Sequence, residues 1–345
     1  MGNVEYFAAL NTGQGFRSFF REIFDPIGRV YVIKGGPGTG KSRLMRELEA
    51  AANERGYSSE RILCSSDPSS LDGIIIPTID VAVLDGTSPH VHEPTLVGIR
   101  ESFVDLGVFL DREKLSGRRP EIEDLASAKG RRYAQIYGYI QIISSYENSV
   151  LALASRAIVA DKLEKSVAKY SLYAPTSKKY EKKIRIRSTF SENGRVTLSG
   201  YSSGASKRFA VRDVCGIGRV FLKKLLLATE RKGASVTVSY DPVMPDMPDA
   251  LYYPDSGASF YIGCEGANGE NIINTARFVD DMTLRAYKPE IRAIGRLKNS
   301  VTDQLKLDIA NVRRLHSSLE EIYSSAMDFK AKEAFTAEFI NSILK

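Results

Sequence analysis

Cysteine is scarce in this chain of 345 residues, with three copies at Cys64, Cys215 and Cys264. Scattered in this way they form neither a metal-ligand spacing nor a disulfide framework, so a reducing cytoplasm is the expected setting. Long apolar runs are missing too. The best, Val150 to Ala160, is interrupted by Arg156 and falls short of the roughly 18 residues that a membrane span requires. The start of the chain does not read as a signal peptide, and Met1-Gly2 lacks the Ser or Thr at position 6 that myristoylation uses. No zinc finger, RNA-binding aromatic motif or helix-turn-helix pattern is present. Charge is only mildly unbalanced, with 48 Lys and Arg against 42 Asp and Glu, a net +6. Part of the excess is concentrated at Lys178, Lys179, Lys182, Lys183, Arg185 and Arg187. Such a run can hold nucleic acid or an anionic surface, but a solvated linker or edge strand is its commoner role. Nucleic acid is therefore not an expected partner, and no protein partner can be named.

What is present belongs to a globular protein, with 43% hydrophobic and 26% charged residues. The length suggests about two domains. The most informative stretch runs from Arg29 to Ala52. Val30-Tyr31-Val32-Ile33 is a short apolar run suited to a buried parallel strand. Gly35-Gly36-Pro37-Gly38-Thr39-Gly40-Lys41-Ser42 matches G-x-x-x-x-G-K-[ST] in full. Leu44, Met45, Leu48 and Ala52 then recur at helical spacing.

That order of strand, glycine loop and helix suits a phosphate. Glycines allow a tight turn with several N–H groups facing an anion, and a helix N-terminus adds unsatisfied N–H groups and a positive dipole end. Lys41 is expected on the β- and γ-phosphates, and the Ser42 hydroxyl on Mg2+. The residues expected around the nucleotide are Gly35, Gly36, Pro37, Gly38, Thr39, Gly40, Lys41, Ser42 and Arg43.

Residues 5 to 9 read as a strand, 11 to 15 as a turn, and Phe16 to Phe24 as an amphipathic helix. Arg61 to Cys64 is a second strand of the sheet. Residues 65 to 73 read as a polar loop followed by an apolar patch, Ile74 to Ile76. Ile79 to Asp85 is a third buried strand ending in an acid. In an open α/β sheet the carboxyl ends of the strands form the ligand crevice, so Asp85 is placed where a carboxylate would hold the Mg2+ water shell. A turn-forming role before Gly86 is its plainer alternative. Asp67 and Asp72 are expected on the same rim, as water-orienting or second-substrate groups or simply as turn formers. His90, His92 and Glu93 invite a metal or acid–base reading without an evident third ligand, and His90 is kept as an acid–base candidate. From about Ile99 to Lys169 the pattern is helical, with Pro120 and Gly130 as breaks and Tyr133, Ile136, Tyr137, Ile140 and Ile143 as a core-facing stripe. It reads as a helical hairpin appended to the sheet.

Past Lys178 the plan recurs. Arg208 to Val211 is a strand, and Gly216 and Gly218 stand for Gly38 and Gly40. A helix ends at Arg231-Lys232-Gly233, and strands follow at Ser235 to Tyr240 and Ala258 to Ile262. Phe278-Val279-Asp280 echoes Phe103-Val104-Asp105, and Pro289-Glu290-Ile291 echoes Pro120-Glu121-Ile122. On this matching Arg219 replaces Lys41, Val220 replaces Ser42, and Asp213 replaces the first glycine, so the second loop is expected to be inactive.

With the motifs Gly-Gly-Pro-Gly-Thr-Gly-Lys-Ser (35–42), Cys-Ser-Ser-Asp (64–67), Leu-Asp-Gly-Ile-Ile-Ile-Pro (71–77) and Leu-Asp-Gly-Thr-Ser-Pro-His (84–90), the chain resembles a family of uncharacterised bacterial P-loop ATPases with two tandem ATPase-like halves. The resemblance implies ATP binding. It also implies an intact glycine loop in each half, from which this chain departs at 213–220.

The expected architecture is α/β: two tandem P-loop NTPase-like modules, residues 1–177 active and 178–345 degenerate. Each is expected to have a short, mainly parallel sheet, flanking helices and an appended helical hairpin. Three functions fit: a slow Mg-dependent ATPase coupling nucleotide state to the arrangement of the halves, a small-molecule or nucleotide kinase, or a non-enzymatic ATP-sensing switch. In the first, Lys41 and Asp85 are the catalytic residues, and Arg131, Arg132 or an arginine of the second half would supply a finger. ATP is favoured over GTP because no Asn-Lys-x-Asp base-reading motif occurs.

Overall fold

A computed structural model describes residues 4–88, 92–202, 204–263 and 271–345. His90, Cys264 and Met1-Gly2 lie outside these residues.

The first half supplies strands β1 (Val4–Phe7), β2 (Ala9–Thr12) and β3 (Gly15–Ser18), the short helix α1 (Phe20–Phe24), then β4 (Arg29–Lys34) and helix α2 (Lys41–Glu54). Strands β5 (Glu60–Leu63), β6 (Leu71–Ile76), β7 (Val81–Asp85) and β8 (Glu101–Asp105) follow, with helices α3 (Arg112–Gly117), α4 (Arg119–Ser155) and α5 (Ala160–Ser171). The second half gives β9 (Lys182–Ile184), β10 (Ser188–Ser191), β11 (Gly194–Thr197), β12 (Lys207–Arg212), α6 (Ile217–Glu230), β13 (Val236–Tyr240), β14 (Pro248–Tyr253), β15 (Ala258–Ile262) and β16 (Asn271–Asn274). Helices α7 (Asp281–Ala286), α8 (Lys288–Ser325) and α9 (Phe329–Ile343) complete it.

Two six-stranded sheets result, ordered β1-β5-β6-β7-β4-β8 and β9-β13-β14-β15-β12-β16. Strand for strand the order and direction are the same, and only the third strand of each, β6 or β14, runs against the rest. The sheets meet edge to edge, where the Phe7 N–H donates to Ile186 O at 2.8 Å and the Ile186 N–H to Phe7 O at 3.1 Å.

Several expectations give way here. Phe16 is on a strand, because the Gly13-Gln14 turn and Gly15 (φ 105°) fold β2 and β3 into a hairpin, leaving only Phe20–Phe24 as helix. The expected polar loop at 65–73 ends in β6, whose six residues are all buried, so Asp72 is inside a strand rather than on the rim. The helical stretch from Ile99 begins with the edge strand β8. Pro120 sits in the first turn of α4, where its missing N–H costs nothing, and Gly130 lies within the helix without breaking it. Asp105 corresponds to Asn274 and Asp111 to Asp280, each pair capping the same turn or helix, so Phe103–Asp105 is not the counterpart of Phe278–Asp280.

The appended hairpins also take another form. Helix α4 pairs with α8 across the two halves, not with its own neighbour. The pairing is antiparallel: Lys129 meets His316 at 3.2 Å, Arg132 meets Asp308 at 2.8 Å, and Glu147 meets Lys298 at 2.6 Å. The expected stripe Ile136, Ile140 and Ile143 buries itself against Leu305 and Val312 in this seam. Helices α5 and α9 are exchanged. Leu163 and Val167 of α5 join the core of the second sheet with Phe221 and Phe260, while Phe339, Ile340 and Ile343 of α9 join the core of the first with Leu44, Met45 and Val83. No helix among the described residues is long and apolar enough to cross a membrane.

The basic run at 178–187 contributes the edge strand β9, with Lys182 paired to Glu230 at 2.8 Å and Arg185 paired to Glu60. Its charge is partly neutralised within the fold.

Candidate functional site

Five of the first sheet's strands point their carboxyl ends the same way, and the loops leaving β4, β5 and β7 gather there. The loop after β4 needs its glycines. Gly38 (φ 70°) and Gly40 (φ 85°) adopt the left-handed conformation, and Gly40 caps α2 from that position. Among the described residues, no acceptor lies within hydrogen-bonding geometry of the Gly38 or Gly40 N–H. Thr39 folds its hydroxyl back to Gly36 O at 2.9 Å.

The Lys41 ammonium donates to the carbonyls of Gly35 at 3.1 Å and Gly36 at 2.8 Å, and lies 3.6 Å from Asp85 Oδ2. Asp85 Oδ1 meanwhile accepts from the Thr87 N–H at 2.9 Å and the Thr87 hydroxyl at 2.6 Å. Asp85 thus forms a turn and also faces the loop lysine. The Ser42 hydroxyl accepts from the Leu71 N–H at 3.1 Å. Arg43 points away, its guanidinium bound to Glu47 and Glu333. Pro37 lies between Gly36 and Gly38 in the loop.

Asp67 stays on the rim, accepting from the N–H and hydroxyl of Ser69 at 3.1 and 2.6 Å. Buried Asp72 stands beside Cys64, and burial together with this carboxylate pushes the Cys64 thiol well up. His92 is elsewhere, buried 3.8 Å from buried Glu101, its ring nitrogens without a hydrogen-bond partner among the described residues. Among the described residues no group of three or more His, Cys, Asp or Glu is placed to hold a metal.

The remaining walls come from distant parts of the chain. A methyl at Gly36 would come within 2.6 Å of the Tyr323 ring, and one at Gly38 within 2.5 Å of the Glu320 carbonyl oxygen, so α8 rests directly on the loop. His316 and Glu320 lie on the same face of α8, their side chains 3.6 Å apart. Burial, then the charges of Lys129 and Lys41, hold the His316 imidazole down to about 4. Burial and Asp67 raise Glu320, and burial lowers Lys129. Tyr133, its hydroxyl on Ser66 at 3.1 Å, is pushed up to about 12 by burial. Helix α9 adds Lys332, buried beside Gly40. Of the proposed finger residues, Arg132 is bound to Asp308, and Arg131 is exposed.

None of Lys129, Tyr133, His316, Glu320, Tyr323 or Lys332 was assigned to the site from sequence. Lys332 left a trace: it shares an i, i+4, i+7 stripe with Thr336 and Phe339, a charged residue at a core position. The others had none, since they lie on α4 and α8 and only the pairing of those two helices across the halves brings them to the loop.

The second loop differs chemically. Buried positions Leu44, Met45, Leu48, Glu49 and Ala52 of α2 match Phe221, Leu222, Leu225, Leu226 and Thr229 of α6, while Lys34 matches Arg212 in the strands. The second loop is therefore one residue shorter, and Gly218 falls at the Lys41 position and Arg219 at the Ser42 position, which corrects the matching of Arg219 to Lys41. Ile262 replaces Asp85. Asp213 Oδ1 accepts from the Gly218 N–H at 2.6 Å and its Oδ2 from Arg219 at 3.1 Å. This loop carries its own anion.

No protein-family model matches the chain, and neither the curated proteins nor the solved structures compared with it contain a match. The likeness to P-loop ATPases rests on the sequence motifs alone.

Proposed function

We propose that the first half binds a nucleoside triphosphate with Mg2+, ATP in preference to GTP, and hydrolyses it slowly. The observation that carries this reading is the disposition of Lys41, whose ammonium is held over the glycine loop by Gly35 O and Gly36 O and faces Asp85. Free N–H groups at Gly38 and Gly40 and the N-terminus of α2 complete an anion cradle.

The donors also suit Mg2+. A hydroxyl oxygen at Ser42 and a carboxylate at Asp85 are hard ligands, and this ion commonly takes only one or two protein oxygens and completes its shell from phosphate and water. Bound there, the ion would neutralise charge on the β- and γ-phosphates. Lys41 and the loop N–H groups would meet the charge that develops on the transferring phosphoryl group. Arg132, one of the expected finger residues, is bound to Asp308 instead.

Helix α8 rests on Gly36 and Gly38, so a shift of the loop on binding phosphate would be passed to α8. Nucleotide state is thereby coupled to the arrangement of the two halves. A second reading, phosphoryl transfer to a small acceptor, draws on the polar cluster of Asp67, Lys129, His316 and Glu320 facing Lys41.

Titration with labelled ATP and a phosphate-release assay test this, using wild type, Lys41→Ala and Asp85→Asn. Lys41→Ala should lose triphosphate binding, and Asp85→Asn should bind but lose Mg-dependent turnover. Equal binding by wild type and Lys41→Ala would sink the proposal. Turnover only with an added acceptor would favour transfer over hydrolysis.

A further inference from the structure

Lys332 is the most anomalous charge in the fold. It is 1% exposed on the exchanged helix α9, and among the described residues its ammonium makes no hydrogen bond and no ion pair within 4 Å. A β-carbon at Gly40 would lie 3.4 Å from its Cε and 3.5 Å from its Nζ, so the amine sits against the residue that caps α2. The acids nearest to it are committed elsewhere, since Arg43 takes Glu47 at 2.8 Å and Glu333 at 3.1 Å.

A lysine enclosed to this degree without an ion pair is costly in itself. Here it also stands at the positive end of a helix dipole, with a second ammonium, Lys41, on the first residue of the same helix. An anion entering the loop would meet the helix N-terminus and an ammonium from each of α2 and α9 at once.

The chain contains its own control. Asp328 N–H donates to Phe109 O at 2.9 Å and Val159 N–H to Phe278 O at 2.8 Å, so α9 and α5 are fastened at equivalent points. Counting along each helix from these anchors, Leu163 takes the place of Lys332, and it is equally buried at 2% exposed. It shares a core cluster with Ile217 at the start of α6, whose loop has Gly218 in place of Lys41 and Asp213 supplying an internal carboxylate to the helix N-terminus. Where the loop has lost its lysine, the exchanged helix has lost its lysine too.

We infer that Lys332 is a second phosphate-binding residue of the first loop, carried into the site by the last helix of the chain. This rests on the nucleotide reading above and extends it. Two ammonium groups and a helix N-terminus call for a polyanion, a nucleoside di- or triphosphate rather than a monophosphate. Binding it fastens α9 to the first half, so occupancy of the loop stabilises the exchanged arrangement.

The test compares wild type, Lys332→Met and Lys332→Arg by calorimetric titration with magnesium and the non-hydrolysable ATP analogue AMP-PNP, and by thermal unfolding without nucleotide. Lys332→Met should bind the analogue at least ~10-fold more weakly, the loss expected for one charge-assisted contact, and Lys332→Arg should recover most of it. Without nucleotide, Lys332→Met should unfold at a higher temperature than wild type, because an uncompensated buried charge has been removed. Analogue binding unchanged in Lys332→Met overturns the inference and leaves the nucleotide reading standing. A Lys332→Met protein that is less stable or unfolded without ligand also overturns it, since the amine would then hold the fold together. Wild type that binds no analogue overturns both.

Discussion

The N–H of Asp328 donates to the carbonyl of Phe109 at 2.9 Å, joining helix α9 to the turn that follows the edge strand of the first sheet. Asp328 also caps that helix, its carboxylate accepting from the Ala331 N–H at 3.0 Å. One residue thus starts α9 and fixes where it lands. Beyond it Phe339 packs edge-on against Tyr31 with ring centroids 5.1 Å apart, and stacks on Phe335 at 5.8 Å.

Phe339→Ala should therefore destabilise the first half, although the residue lies near the end of the chain. The expected loss is about 3 kcal/mol, the lower end for a buried aromatic truncated to alanine. Hydrogen exchange should show faster opening of β4 and β7, with β12 and β15 unaffected. Uniform loss across both sheets would contradict the exchanged packing.

Two loop glycines should respond differently to a methyl group. Gly36→Ala drives a β-carbon to 2.6 Å from the Tyr323 ring, and Tyr323→Ala should relieve it. Gly38→Ala meets the backbone of Glu320 from a φ of 70°, and no side-chain change can relieve that. Each single variant should lower stability by about 1–3 kcal/mol, and only the Gly36 defect should be rescued in the double variant, as read by urea unfolding.

His316 should remain neutral well into the acid range. Its folded value of about 4 lies below the ordinary 6.5, so between these the unfolded chain takes a proton that the folded chain refuses. Acidification through this window should cost stability, and His316→Asn should lessen that dependence. An NMR titration of the ring with a midpoint near 6.5 would contradict the burial and repulsion assigned to it.

The second half should be sensitive to its buried ion cluster. Arg195 and Arg219 hold Asp241 at 2.8 and 3.1 Å and depress its pKa far below the usual carboxylate range, against the opposing effect of its burial. A depressed carboxylate contributes stability above its unfolded value of 3.8 and loses it as pH falls below that point. Arg219→Met leaves Asp213 without its arginine and Asp241 with Arg195 alone, and should cost about 3 kcal/mol. If that variant unfolds at the wild-type urea midpoint, the cluster contributes nothing.

Local chemistry was legible wherever a few adjacent residues dictate the backbone. The run Val30 to Ile33, the glycines after it and the periodic Leu44, Met45 and Leu48 predict a strand, a loop and a helix, and these elements are present. Ala258 to Ile262 is likewise a strand with the expected bounds. The failures have local causes as well. Phe16, Phe19 and Phe20 share helical spacing, yet Gly13 and Gly15 make a hairpin cheaper than a helix at that point. Leu71-Asp72-Gly73 looks like a loop because a buried acid and a glycine are rare inside strands, and here sheet pairing on both sides of β6 overrides that preference.

By itself the sequence determined the glycine loop, the lysine and hydroxyl that follow it, and the repetition of one plan in both halves, because each depends on contacts between near neighbours in the chain. Tertiary structure alone decided that α4 pairs with α8, that α5 and α9 change places, and that His316, Glu320, Tyr323 and Lys332 surround a loop almost three hundred residues upstream. A helix reports only that it has an apolar face. Which of two similar sheets that face covers depends on long-range complementarity, and a repeated chain offers each helix two nearly equivalent choices.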